Sequence, residues 1–110
     1  MDSVASALSR RRSALLAEVA ALEADLRSVF EASRESNADD EHDPEGSTIA
    51  YERAQLTAVL TSARLRLAEV DDALSRLSAG TYGVCAVCGQ PIPAERLLAR
   101  PSARTCVACA

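Results

Sequence analysis

Four cysteines are the residues of this chain best equipped for chemistry. They fall in two pairs, Cys85-Ala-Val-Cys88 and Cys106-Val-Ala-Cys109, with seventeen residues between the pairs. Two C-x₂-C pairs at such a separation point to one tetrahedral Zn²⁺ held by four thiolates. A two-residue gap lets both sulfurs of a pair reach one ion about 2.3 Å away while the backbone turns tightly between them. Gly89, directly after Cys88, suits that turn because glycine takes a positive φ that other residues resist. The turn of the second pair is less clearly written, since only Ala110 follows it. Four protein ligands leave no position open for water, so the predicted site is structural rather than catalytic.

Other readings of the same cysteines fit less well. Two disulfides would suit a secreted chain. The opening MDSVASALSRRR lacks the charged start, apolar middle and cleavage site of a secretory leader, so a reducing, cytoplasmic setting is expected. A thioredoxin-like redox pair would open a helix in an alternating strand–helix context, which this sequence does not show. The ligands alone do not separate iron from zinc. His42 is the single histidine and lies in an acidic stretch. No Ser/His/Asp set, phosphate-binding glycine loop or open metal site can be composed, so no enzyme is expected.

The elements that must position these cysteines are helical. One Phe, two Tyr and no Trp cannot build a large globular core, and the apolar residues are mostly Ala, Leu and Val, which suit helix seams. From Ser3 to about Ser36, Leu15, Val19, Leu22, Leu26 and Val29 recur at alternating steps of four and three, a heptad seam that Val4 and Leu8 extend backwards. Arg11 and Arg12 interrupt it, with their stems expected to snorkel past the seam. From Ile49 to Leu77 the same alternation runs through Arg53, Leu56, Leu60, Ala63, Leu67, Val70 and Leu74, and only Arg53 is polar. The predicted fold is therefore mainly α: an antiparallel coiled-coil hairpin over 1–79 with a small C-terminal Cys₄ lobe over 80–110. Gly80 is expected to end the second helix. Pro91 and Pro93 rule out a long helix beyond it, and a short helical turn around Ala94–Leu98 is expected to pack Leu97 and Leu98 on the lobe. With so little core of its own, the lobe should depend on the metal to fold.

Charge is concentrated in one place. Residues 37–48, NADDEHDPEGST, hold Asp39, Asp40, Glu41, Asp43 and Glu45 with no Arg, whereas the flanking helical stretches are near balance. Asn37, Pro44 and Gly46 mark this piece as a turn, and Ser47 or Thr48 is a candidate N-cap for the next helix. In the predicted hairpin these acids stand at the tip, about 45 Å from the zinc lobe at 1.5 Å per helical residue. Solvation of a loop is the ordinary use of such acids. The net charge of −4 argues against a general nucleic-acid binder, and no run of about 18 uncharged apolar residues exists to span a membrane.

The run Gly80, Tyr82, Gly83, Cys85, Cys88, Gly89, Ile92, Arg96, Leu97, Ala99, Pro101, Cys106, Cys109 resembles the C4-type zinc finger of the DksA/TraR proteins. It carries that family's G-x-Y-G-x-C-x-x-C-G pattern, its R-L-x-A-x-P run and its closing C-x-x-C. The resemblance implies that Cys85, Cys88, Cys106 and Cys109 ligate one structural Zn²⁺. It further implies a transcription regulator that binds RNA polymerase, inserting its coiled coil into the secondary channel so that tip acids approach the catalytic centre and alter open-complex stability. The family tip reads D-x-x-D-x-A. Here Asp40-x-x-Asp43-x-Glu45 keeps both acids with Glu in place of Ala, and Asp43-x-x-Gly46-x-Thr48 keeps one acid and the D-P start.

Two functional expectations follow. In the first the protein is a monomeric, non-enzymatic polymerase-binding regulator that reads no DNA sequence, with Asp39, Asp40, Asp43 and Glu45 acting at the tip. The alternative is a zinc-stabilised coiled-coil assembly module for a different protein partner, using outward apolar residues such as Leu16 and Leu65. Arg96, Arg100 and Arg104 are read as surface charges or polymerase contacts.

Overall fold

The computed structural model of the chain describes residues 2–36 and 44–110. Two long helices carry most of it: α1 over Asp2–Ser36 and α2 over Pro44–Ala79. A third, short helix, α3, spans Ala94–Ala99, and a single 3₁₀ turn covers Val107–Cys109. Among the described residues there is no strand, only an isolated antiparallel bridge between Val84 and Pro91. The fold class is therefore the predicted one, a mainly α helical hairpin with a C-terminal cysteine lobe. Contacts group the chain into two compact units, residues 15–65 and residues 1–14 together with 66–110.

In the 15–65 unit the predicted seam is the buried one. Leu15, Val29, Leu60 and Ala63 are buried, and Val19, Leu22, Leu26, Ile49 and Leu56 are half-buried. Arg64 bonds Glu23 across the helices at 2.7 Å, and the Arg53 guanidinium lies 5.5 Å from the centroid of the Phe30 ring. Partner numbers fall along α2 as they rise along α1, so the helices run antiparallel. The stack on Phe30 also explains how an arginine occupies a seam position. The cation lies over the ring's negative face while its stem covers apolar surface.

In the other unit Leu8, Val70 and Ala73 are fully buried, and Leu67, Leu74 and Leu77 are half-buried. Arg12, which interrupts the apolar pattern of α1, is accounted for by an ion pair with Asp71 of α2. α2 ends as the sequence implies. Gly80 takes φ +80°, its N–H donates to the Leu77 carbonyl at 3.3 Å, and the Thr81 N–H donates to Arg76 at 2.9 Å. These paired bonds close the last carbonyls of the helix in a Schellman motif.

Two sequence expectations are refined, and a third falls mostly outside the described residues. α2 starts at Pro44, so Ser47 and Thr48 lie inside it and not at its cap. Proline's fixed φ and missing N–H suit the first helical position, where no intrahelical donor is needed. α3 forms as expected, yet Leu98 is 84% exposed and only Leu97 turns inward, with Cδ1 3.6 Å from where a Gly83 side chain would start. The tip acids Asp39, Asp40 and Asp43 lie outside the described residues, and Glu45 stands in the first turn of α2.

Shortening a buried seam residue should cost far more than shortening an exposed one of the same type. Leu8→Ala is expected to lower unfolding free energy by about 2–5 kcal/mol, and Leu65→Ala by no more than about 0.5 kcal/mol. Urea denaturation of the zinc-loaded protein, followed by helical circular dichroism, measures both.

Candidate metal centre

The first cysteine pair sits on a tight turn. The Cys85 N–H donates to the Gln90 carbonyl at 2.8 Å, and the Gly89 N–H returns to the Cys85 carbonyl at 3.0 Å. Gly89 closes the loop at φ +73°, the conformation that glycine adopts without strain. The Cys88 N–H points at Cys85 Sγ, 3.5 Å away. The second pair is built differently. Cys106, in extended backbone, leads into the 3₁₀ turn, and the Cys109 N–H donates to the Cys106 carbonyl at 3.1 Å. The turn that the sequence left unspecified is thus a single 3₁₀ turn.

These two turns bring the four Sγ atoms within 4.8 Å of one another, the metal-compatible group found among the described residues. Cys88 Sγ and Cys106 Sγ lie 3.8 Å apart. A tetrahedron with bonds of about 2.3 Å has edges of about 3.8 Å, so this pair has the spacing of two ligands of one zinc tetrathiolate. It is far longer than the roughly 2 Å of a disulfide, and all four cysteines are free thiols. The donor set and the geometry fit one Zn²⁺ that takes no further ligand.

The thiols differ in how readily they ionise. Amide donors from Cys88 and Cys106 hold the Cys85 thiol down at about 6. The sulfurs of Cys106 and Cys85, accepting from its proton, push the Cys109 thiol up to about 12. Gathering four thiolates is therefore costly without a cation, and a divalent metal supplies the missing positive charge.

Around this cluster the lobe buries little: Cys85, Ile92 and Ala103 are its buried residues. Its hold on α2 is polar. Arg76 Nε donates to Asp72 Oδ2 at 2.9 Å, and its terminal nitrogens donate to the carbonyls of Ala103 at 3.3 Å and Ser102 at 3.4 Å. Arg104 also reaches Asp72, at 3.3 Å. Arg96 is not a surface charge: its Nε donates to the Thr105 carbonyl at 2.7 Å. Tyr82 donates its hydroxyl to the Pro101 carbonyl at 2.7 Å, and burial pushes its phenol up against the opposing pull of Arg76. Arg100 lines a cleft with Arg11, Arg66 and Glu69. The parts played by Asp72 and Arg76 were missed in the sequence, where they counted only as helix charges. Their i, i+4 spacing near the end of α2 was the available signal.

Comparison with known proteins gives this arrangement a family. Residues 80–110 match the prokaryotic dksA/traR C4-type zinc finger. The solved structure of transcription factor DksA2 from Pseudomonas aeruginosa superposes with a TM-score of 0.79 at 30% identity, over 98% of this chain and 78% of that one. The chain belongs to the DksA/TraR family. Its C4 cluster takes one structural Zn²⁺. Two Bacillus subtilis proteins are also similar. One is YteA, 39% identical over 71 residues, which are 64% of this chain and 30% of YteA. The other is general stress protein 16O, 43% identical over 72 residues, 66% of this chain and 44% of that protein. The chain thus spans less than half the length of these curated relatives.

Zinc uptake should release protons, because the metal binds thiolates and the neighbouring sulfurs keep a proton on Cys109 at neutral pH. Above pH 6 Cys85 has little to give up, whereas Cys109 surrenders its proton at any pH well below 12. Affinity should therefore fall as pH falls. Calorimetric titration of metal-free protein with Zn²⁺, in buffers of different ionisation enthalpy, should return one zinc per chain and a net proton release. Cys88→Ser should weaken binding severely.

Proposed function

We propose that this protein is a transcription regulator that acts by binding RNA polymerase, without catalysing a reaction and without reading a DNA sequence. The observation that carries this reading is the likeness to DksA2 over 98% of the chain, which includes the helices as well as the zinc lobe. A finger borrowed by an unrelated protein would account only for residues 80–110.

In this reading residues 1–79 form the probe and residues 80–110 the zinc finger, with Cys85, Cys88, Cys106 and Cys109 as its ligands. The helical hairpin enters the secondary channel. Asp39, Asp40 and Asp43, between α1 and α2 in the chain, and Glu45 at the start of α2 bring carboxylates toward the polymerase's catalytic Mg²⁺. Such carboxylates act on a hard cation electrostatically, or by competing for its coordination, and alter initiation with no bond made or broken by the protein. The cytoplasm is the corresponding location. Among the described residues no helix is long and apolar enough to cross a membrane.

A second reading, a zinc-stabilised assembly module, is favoured by the apolar residues that the helices leave outward. Leu65 is 63% exposed and Leu16 41%. Light scattering separates the two, since a monomeric probe and a helical assembly differ in mass.

The direct test places a photo-cross-linker at Asp43 and mixes the zinc-loaded protein with core RNA polymerase. Cross-links to the catalytic side of the secondary channel are expected. Asp40→Asn with Asp43→Asn should abolish the effect on initiation while leaving polymerase binding largely intact. No binding at micromolar concentrations would overturn the reading, and regulation by the double variant at the wild-type level would overturn the role of the acids.

A further inference from the structure

The segment that delivers the second cysteine pair has no regular secondary structure of its own, yet five successive carbonyls in it are each tied to a donor from elsewhere. Tyr82 Oη donates to Pro101, Arg76 Nη2 to Ser102 and Arg76 Nη1 to Ala103. The Ala86 N–H donates to Arg104 at 2.9 Å, and Arg96 Nε to Thr105. The donors come from four places: the end of α2, the turn that follows it, the loop of the first cysteine pair, and α3. Thr105 immediately precedes Cys106, so this ladder fixes where the second pair enters the cluster.

Arg76 differs from the other donors. It is the one that belongs to α2, and its side chain is only 13% exposed. Asp72, one turn earlier on the same helix, holds the guanidinium in place through Nε and leaves both terminal nitrogens aimed at the 102–103 carbonyls. Asp72 also draws in Arg104 from the same segment. A planar guanidinium spreads its donors over three nitrogens in a fixed fork, so it reaches a carboxylate on one side and two neighbouring carbonyls on the other. An ammonium radiates its three donors from a single atom.

We propose that Arg76, oriented by Asp72, is a positioning residue for the zinc site. It ties the 101–105 segment to α2, so that Cys106 and Cys109 are pre-placed for the metal and zinc leaves slowly. The inference concerns the metal site alone and does not depend on polymerase binding. Partners outside the ligand shell that hold ligands in place typically change metal affinity by about 10–100-fold when removed.

The test uses the full chain loaded with zinc, and follows metal transfer to an excess of a chromogenic chelator. Arg76→Met keeps the apolar stem and deletes the donors. It is expected to speed zinc release by about tenfold or more with helical circular dichroism unchanged. Arg76→Lys should fall between Met and wild type. Arg64→Met, which removes the Arg64–Glu23 pair of the other unit, should leave release unchanged. In the Co²⁺-loaded protein the Arg76→Met ligand-field bands should shift or broaden, as a loosened tetrahedral site requires. Release from Arg76→Met at the wild-type rate would overturn the proposal, as would equal acceleration by Arg64→Met. Should Arg76→Met lose helical signal, Asp72→Asn decides the matter. It keeps the arginine and removes the carboxylate charge that orients it, and wild-type release from that variant would equally overturn the proposal.

Discussion

Four thiolates confined within 4.8 Å repel one another, and only a cation at their centre turns that repulsion into a bond network. The C-terminal lobe rests on this constraint because it has little else. Its buried residues are Cys85, Ile92 and Ala103, and a cluster of that size cannot offset the ordering of some thirty residues at about 1–2 kcal/mol each. The backbone bonds of the lobe follow from the same centre. The Cys85 to Gln90 pairing and the Gly89 turn shape the first cysteine loop, and the Ala86 bond to Arg104 joins that loop to the segment before the second pair.

The helical part obeys different physics. Its stability comes from apolar seams, with Leu8, Val70, Leu60 and Ala63 buried in two separate units, and from a few cross-helix ion pairs on the rim. Exposed pairs such as Arg64–Glu23 contribute little individually, so the seam carries the pairing. Metal-dependent folding of the lobe and metal-independent pairing of the helices can coexist in one short chain. They meet where Asp72, Arg76 and Arg104 join α2 to the segment before Cys106. This separation lets the zinc lobe change its state without dissolving the helices.

Much of this was legible from sequence because it depends on period and spacing. The alternating steps of four and three predicted which positions of α1 and α2 turn inward, and C-x₂-C spacing predicted the metal. Gly80 marked the end of α2 because glycine relieves the left-handed cap. What was not legible depends on tertiary neighbours. Arg53 stood out as the one polar residue of the second seam because nothing local says that Phe30 lies beneath it. Leu98 looked like lobe core because a six-residue helix has too few turns for its period to decide which leucine faces inward. Arg76 and Arg96 looked like solvated charges because their acceptors are backbone carbonyls, which leave no trace in a pattern of side chains. The start of α2 was misjudged by weighing cap residues above the preference of proline for the first turn.

Amide hydrogen exchange, with and without zinc, tests most directly the claim that the metal holds the lobe while the seam holds the helices. The account predicts that the Cys85, Ala86, Ile92 and Ala103 amides, all bonded within the lobe, are protected in the zinc-loaded protein. They should exchange at nearly free rates once a chelator has removed the metal, while amides around Leu60 and Ala63 keep their protection. Unchanged protection in the lobe after zinc removal would contradict the account, and so would collapse of protection around Leu60 together with the lobe.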